Sequence, residues 1–432
     1  MHPMNLALAD IAAQLDGYDP QALPVDVAQK FISKLLPLPQ QAERVGLRAA
    51  LGRVLAADII SPLQVPAADN SAMDGYALRA SDLAVEGETR LRLAGTSLAG
   101  SAPSATLAPG HCQRIMTGAL MPPGLDTVVP QELTRVAGDS GEFIVISPGI
   151  LRAGDNRRLA GEDLALGSVA LAAGRILKPA DLGLLASLGL AEVPVWRRLK
   201  VAIMSTGDEL RGVGAPLPAG CVYDSNRYTM WAMLERLGLE VIDLGIVRDQ
   251  PAALRDAFTR AAAEADAVIS SGGVSVGEAD HTKQVMAELG EVLFWKIAMR
   301  PGRPMAIGRI NSGEHQALLF GLPGNPVAVM VTFYAFVREA LLRMSGASPD
   351  PLPMLRASSS KALRKKAGRT EYQRGIVGRG QDGQWQVDIT GNQGSGILSS
   401  MSQANGLVVL GHAQGDVAAG DWVDVLPFDG LI

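Results

Sequence analysis

"ADAVISSGGVSVGEADHTKQVMAELG" occupies residues 265–290 and joins three local patterns in one run. "ADAVIS" is an apolar stretch of strand length, a glycine-rich turn follows it, and "HTKQVMAELG" spaces its apolar residues as a helix does. Working outward, the pattern recurs. "KVAIMSTG" (200–207), "EVIDLGIV" (240–247), "EVLFWKIAM" (291–299) and "QALLFGLPG" (316–324) are further apolar runs, and "NRYTMWAMLERLG", "PAALRDAFTRAAAEA" and "PVAVMVTFYAFVREALLRM" are helical stretches among them. Strands alternating with helices predict a doubly wound, mostly parallel α/β domain over 199–346, with both sheet faces covered. Such sheets bind ligands at the carboxyl ends of their strands, where the glycine-rich turns of this segment fall.

The rest of the chain reads as further domains, since 432 residues exceed one typical core. Three prolines in "ASPDPLPML" (347–355) introduce a C-terminal β domain over 347–432, barrel-like, with short runs such as "QWQVDIT" and "GLVVLG" between glycine turns. Residues 62–167 are rich in glycine, proline and short apolar runs and read as a β-rich inserted domain. The flanks, 24–61 and 168–198, carry the helical patterns "VDVAQKFISKLLP" and "ADLGLLASLGL" and read as one small mixed domain split by that insertion. Residues 1–23 read as an N-terminal extension.

Composition narrows the class. A hydrophobic content of 47% and a charged content of 19% describe a well-buried globular protein. Two cysteines, Cys112 and Cys221, provide no disulfide framework and suit a reducing cytoplasm. The first residues lack the positive region of a secretory leader. Charged or turn residues interrupt every apolar run well before about 18 residues, so no membrane span is expected. The net charge of -5 is mild, and the basic run "KALRKKAGRTEYQRG" (361–375) has neither stacking aromatics nor a groove-reading helix, so nucleic acid is not an expected partner. The five histidines lack zinc spacing.

Several constellations carry chemistry. Glycines after a strand let consecutive backbone N–H groups turn toward an anion, which makes Ser270, Ser271, Gly272, Gly273 and Ser275 candidates for phosphate binding. Asp280 suits an N-cap of the next helix, but a cap does not account for Glu278 or for the Ser-Gly-Gly before it. "STGDEL" (205–210) and "VRDQP" (247–251) place Asp208, Glu209 and Asp249 at two more strand ends. Each acid alone also suits the first turn of a helix. Together, Glu209, Asp249 and Asp280 line one sheet edge, and carboxylates with phosphate oxygens are the usual surroundings of Mg²⁺. In "FWKIAMRPGRPMAIG" (294–308), Lys296 and Arg300 are expected on one face of an extended strand, either as solvated edge charges or as partners of a second anion. "VPAADNSAMDGYALR" (65–79) and "RIMTGALMPPG" (114–124) read as turns on composition.

Taken in order, "DNSAMDGYA" (69–77), "RIMTGA" (114–119), "RRLAGED" (157–163), "STGDEL", "YDSNRY" (223–228), "SSGGVSVGEADHT", "RPGRP" (300–304) and "GLPGNPV" (321–327) resemble the molybdopterin molybdenumtransferase family, MoeA of bacteria and the E domain of gephyrin. The resemblance covers about residues 24–430 and leaves the first 23 without a family role. It implies an elongated four-domain subunit that forms a homodimer through the split domain, with the inserted domain of one subunit completing the cleft of its partner. It implies insertion of molybdate into adenylylated molybdopterin with Mg²⁺-dependent release of AMP, and contact with the molybdopterin adenylyltransferase and with molybdenum-enzyme chaperones. The family's functional positions fall on Asp74, Thr117, Asp163, Glu209, Asp249, Asp280, Lys296, Arg300, Arg374 and Ser395. Asp249, Asp280 and Glu209 would hold the metal, Lys296 and Arg300 would attract molybdate, and Arg374 with Ser395 would form an outer waiting site for it. Bacterial relatives often carry lysine at the position of Arg300, and the planar fork of arginine changes the contact geometry. Two other readings belong to this sequence: a molybdopterin adenylyltransferase, which the additional domains disfavour, and a non-catalytic molybdopterin-binding scaffold, which the intact acids disfavour.

Overall fold

The computed structural model describes residues 7–39, 41–102, 105–274 and 281–428. Ser275, expected at the anion loop, and Asp280, expected at the metal, lie outside the described residues, as does Glu278. The chain divides into two compact units, one formed by Met1–Ala56, Gly174–Lys178 and Pro194–Ile432, the other by Ala57–Ala173 and Pro179–Val193.

The larger unit holds the α/β sheet. Its strands are β1 (Lys200–Thr206), β2 (Glu240–Val247), β3 (Ala267–Ser271), β4 (Gly290–Lys296), then β6 (Pro304–Ser312) and β7 (His315–Leu322), with the short β5 (Met299–Arg300) between β4 and β6. The sheet order is β2-β1-β3-β7-β6-β4. β2, β1, β3 and β7 are parallel, whereas β6 runs antiparallel to β7 and β4 antiparallel to β6. The mostly parallel sheet is therefore as expected, with an antiparallel edge whose β6 strand the sequence hides behind "RPGRP". Side-chain alternation buries both faces. Val201, Ile203, Ala267 and Ile269 enter one core, and Ala202, Met204 and Val268 enter another with Leu254, Phe258, Val285 and Met286 of the covering helices.

The N-terminal segment is part of this core. Leu8 and Ile11, in the helix Leu8–Ala13, are fully buried, and the Leu8 N–H donates to Glu291 Oε1 at 2.7 Å. Trp295 Nε1 donates to the Tyr18 hydroxyl at 2.9 Å, and the rings of Phe31 and Trp295 meet edge-on at 5.0 Å.

The C-terminal residues form a closed barrel from β8 (Leu355–Ser359), β9 (Thr370–Arg379), β10 (Trp385–Ile389), β11 (Gly406–Leu410) and β12 (Trp422–Pro427). The order β9-β10-β8-β12-β11 closes because β11 also pairs with β9, and β5 joins β9 from outside. Ala357, Val387, Val408, Leu410, Val423 and Val425 fill it. The larger unit also brings the flanks of the inserted segment together, where Val54 pairs with Ile176 and Leu55 with Val195.

The smaller unit contains a six-stranded mixed sheet in the order Thr127–Pro130, Gly75–Leu78, His111–Ile115, Thr89–Ser97, Phe143–Ile146, Thr134–Ala137. Tyr76, Leu78, Cys112, Val129 and Ile144 pack on one side, and Ala77, Ile115, Leu125 and Val128 on the other. Among the described residues of the chain, no helix is long and apolar enough to cross a membrane.

Candidate functional site

Within the larger unit a cleft of about 770 Å³ opens where the strand ends meet the barrel. One side is formed by Thr206, Gly207 and Glu209 after β1, Asp249 after β2, and Gly272 and Gly273 after β3. The other side carries Arg300, Arg303 and Arg369, with Gln393, Gly394 and Ser395 from the loop after β10. Pro323, Gly324 and Asn325 of "GLPGNPV" close the floor. The lining thus combines two carboxylates and a glycine turn with three guanidinium groups.

Backbone geometry explains the glycines at this edge. Gly272 and Gly273 take φ of +89° and +66°, and a Cβ at Gly272 would lie 2.4 Å from the Thr206 carbonyl oxygen. Only a residue without a side chain lets the chain turn here, and the Gly272 N–H, expected to face an anion, is instead donated to the Leu322 carbonyl at 3.1 Å. Ser270 and Ser271, candidates for the same role, are buried beneath the turn. The Ser271 hydroxyl lies 3.0 Å from that of Ser205, which donates to Asp224 Oδ1 at 2.9 Å. Ser271 is thereby tied to the end of β1 beneath the turn, whereas Ser270 Oγ is buried with no hydrogen-bond partner among the described residues.

"YDSNRY" belongs to this support. Asp224 is 1% exposed and accepts from Arg227 Nε at 3.1 Å, and Asn226 Nδ2 donates to the Gly324 carbonyl at 2.7 Å. One motif therefore ties the ends of β1 and β3 to the floor of the cleft.

Glu209 is exposed and Asp249 half-buried at the cleft margin, and the Asp249 N–H donates to Asp208 Oδ1 at 3.3 Å. The described residues contain no group of three or more His, Cys, Asp or Glu side chains suited to a metal ion. Glu209 and Asp249, two carboxylates lining one cleft, nonetheless fit Mg²⁺, which draws its remaining ligands from water and phosphate oxygens.

Two expectations on the basic side need correction. Lys296 and Arg300 do not share the face of one strand. The chain leaves the α/β sheet after Lys296, Ile297 pairs with Leu23, and Arg300 lies on β5 beside the barrel. Arg300 lines the cleft, whereas Lys296 is not among its lining residues and its backbone is held by Pro20 and Leu23. Arg374 is not an open cation waiting for molybdate. It is 1% exposed, with Nε donating to Ser400 Oγ at 3.0 Å, Nη1 to the Gln393 carbonyl at 3.1 Å, and Nη2 to the carbonyls of Asn392 at 3.3 Å and Gly394 at 2.9 Å. Burial, and secondarily the nearby Arg300 charge, lowers its pKa from the ordinary arginine value. Arg374 thus shapes the loop that presents Ser395. The cation that reaches the cleft from the same basic run is Arg369, which sequence reading passed over along with Arg303, Asn325 and Gln393; the first three of these four lie in stretches that drew notice for other reasons.

In the smaller unit, "DNSAMDGYA", "RIMTGA" and "RRLAGED" converge. Asn70–Ser71 pairs with Arg157–Arg158, the Ser71 N–H donates to the Ala119 carbonyl, and the Ala160 N–H donates to Asp69 Oδ1 at 2.8 Å. Asp74 and Thr117 are thereby brought together: the Thr117 N–H and hydroxyl each donate to Asp74 Oδ1 at 2.7 Å. Asp163 is exposed at the end of the third motif, its N–H donating to the Val65 carbonyl.

Comparison with known proteins matches three stretches of the chain. Residues 23–189 match the MoeA N-terminal region (domain I and II), 202–343 a probable molybdopterin binding domain, and 356–428 the MoeA C-terminal region (domain IV). A molybdopterin molybdenumtransferase of Haemophilus influenzae is 43% identical over 95% of this chain and 100% of its own length. One of Nostoc sp. is 38% identical, with 95% of each chain covered. The crystal structure of the molybdopterin biosynthesis MoeA protein from Pyrococcus horikoshii superposes with a TM-score of 0.80 at 27% identity, covering 94% of this chain and 100% of that one. The chain belongs to the molybdopterin molybdenumtransferase family.

Proposed function

We propose that this chain inserts molybdate into adenylylated molybdopterin with release of AMP, acting as a cytoplasmic homodimer with Mg²⁺. The observation that carries the reading is the cleft that combines Glu209, Asp249 and the Gly272–Gly273 turn with Arg300, Arg303 and Arg369. Gly273 would present its N–H to a phosphate of the pterin substrate, the Gly272 N–H being held by the Leu322 carbonyl. Glu209 and Asp249 would hold Mg²⁺, with Asp280 as a further proposed ligand, and the metal's charge would offset that of the phosphoanhydride. Arg300 and Arg303, with Ser395, would draw the molybdate dianion toward a substrate that is itself anionic, a task that needs fixed positive charge in a cleft partly shielded from water. The dithiolene sulfurs of the pterin are the ligands that molybdenum acquires, so the protein positions and neutralises. Asp74, Thr117 and Asp163 are proposed as functional groups of the same reaction.

Thermal unfolding with AMP, Mg²⁺ and molybdate, singly and combined, tests the reading. A ligand at about 100 times its dissociation constant raises folding stability by roughly 2.7 kcal/mol. A larger shift for the three together than for any one is expected. No shift with any of them, in protein that is folded and dimeric, would exclude this cleft as their site.

A further inference from the structure

The arginine wall depends on one barrel strand. β9 runs parallel to β5, with Met299 opposite Thr370 and Arg300 opposite Glu371. Arg374 of the same strand clamps the 392–394 loop behind the cleft. Glu371 is 2% exposed and does not line the cleft. Its Oε1 accepts from Arg369 Nε at 2.8 Å and lies 2.7 Å from Arg369 Nη2, while Oε2 accepts from Gln373 Nε2 at 3.2 Å. The Arg369 side chain, by contrast, is 34% exposed and lines the cleft.

The arrangement is directional. A guanidinium carries five N–H groups in one plane. With its Nε–Nη2 edge held by Glu371, the plane of Arg369 is set and the Nη1 edge is left for a ligand. A long side chain that enters a complex unheld gives up rotamer freedom on binding; one already held does not.

We propose that Glu371 is a positioning residue for anion capture, which acts by holding Arg369 in the orientation that meets molybdate. This rests on the reading of the wall as the molybdate side of the cleft. Glu371 exerts two effects of opposite sign: its negative charge repels an approaching dianion, and its grip orients the arginine that attracts it. Orientation outweighs repulsion here, because the carboxylate is spent against Arg369 and Gln373 and does not line the cleft.

Glu371→Asp separates the two effects. It keeps the charge but withdraws the carboxylate by one methylene. Molybdate binding to the full-length protein by calorimetry, and insertion rate against molybdate concentration, are measured for wild type, Arg369→Ala, Glu371→Asp and the double variant, with thermal unfolding of each. Arg369→Ala is expected to weaken molybdate binding about tenfold and Glu371→Asp about fivefold, the latter raising KM for molybdate with kcat retained. The double variant should bind no more weakly than Arg369→Ala alone, because Glu371 acts through that arginine. Unchanged binding in Arg369→Ala would overturn the anion reading of the wall and the proposal with it. Weakened Arg369→Ala beside unchanged Glu371→Asp, or additive losses in the double variant, would overturn the proposal while leaving the wall intact. Should Glu371→Asp not fold, Glu371→Gln holds the volume and removes the charge; it should bind molybdate no more tightly than wild type, and tighter binding overturns the positioning role.

Discussion

Thr117 donates both its N–H and its hydroxyl to the same carboxylate oxygen of Asp74, each at 2.7 Å, although Asp74 and Thr117 lie on different segments of the smaller unit. The two hydrogen bonds favour the ionised carboxylate, the backbone one most, and with the nearby Arg114 charge they lower the Asp74 pKa from its ordinary value. A lowered folded-state pKa contributes stability above the unfolded pKa and loses it as pH falls through the folded value. Thr117→Val removes the hydroxyl donor and keeps the N–H. Its Asp74 carboxyl is expected to titrate at higher pH than in wild type, partway back toward an ordinary aspartate, in a carbon-13 NMR titration. An unchanged titration would show that the hydroxyl contact has no electrostatic weight.

Asp249→Asn and Glu209→Gln should each lower the insertion rate by about a hundredfold or more, since groups merely behind a metal ligand already cost 10- to 100-fold. Both groups sit at the cleft margin and not in a core, so the unfolding midpoint without ligands should stay close to wild type. The check is the Mg²⁺-dependent thermal shift, which each variant should lose. A retained shift would remove that residue from the metal site.

Arg374→Ala should destabilise the protein by about 2–4 kcal/mol, because it removes charge-assisted hydrogen bonds and leaves several carbonyls behind the 392–394 loop without their donor. Urea unfolding measures this directly. A loss of molybdate affinity with no loss of stability would return Arg374 to the role of a direct anion contact.

Gly272→Ala should cost about 1–3 kcal/mol from the left-handed conformation alone, and the clash with the Thr206 carbonyl adds to it. The turn would move to relieve the contact, so the AMP-dependent thermal shift should fall together with the unfolding midpoint. Gly220→Ala, also at positive φ but with open space around its Cβ, serves as the control and should keep the ligand response.

What the residues determined by themselves is the local framework. Alternating apolar strands and helical stretches marked the α/β domain. Runs such as "SSGG" and "GLPGNP" marked its turns, since backbone propensity and burial period are local properties written in neighbouring residues. Glu209, Asp249, Gly272 and Gly273, which those turns put at strand ends, line the cleft; Arg300, read on a strand face with Lys296, and Ser395, implied only by the family resemblance, line it as well. Tertiary structure alone decided which charged side chains reach it. Arg369 and Arg374 stand five residues apart in one basic run, yet Arg369 lines the cleft and Arg374 is buried behind it. Closure of the barrel decides this, through the pairing of β9 with both β10 and β11. Lys296 and Arg300 part because Ile297 pairs with Leu23, far away along the chain, and carries the strand from one sheet to the next. Solvation of a side chain depends on what packs against it, and here those partners come from segments that no local pattern connects.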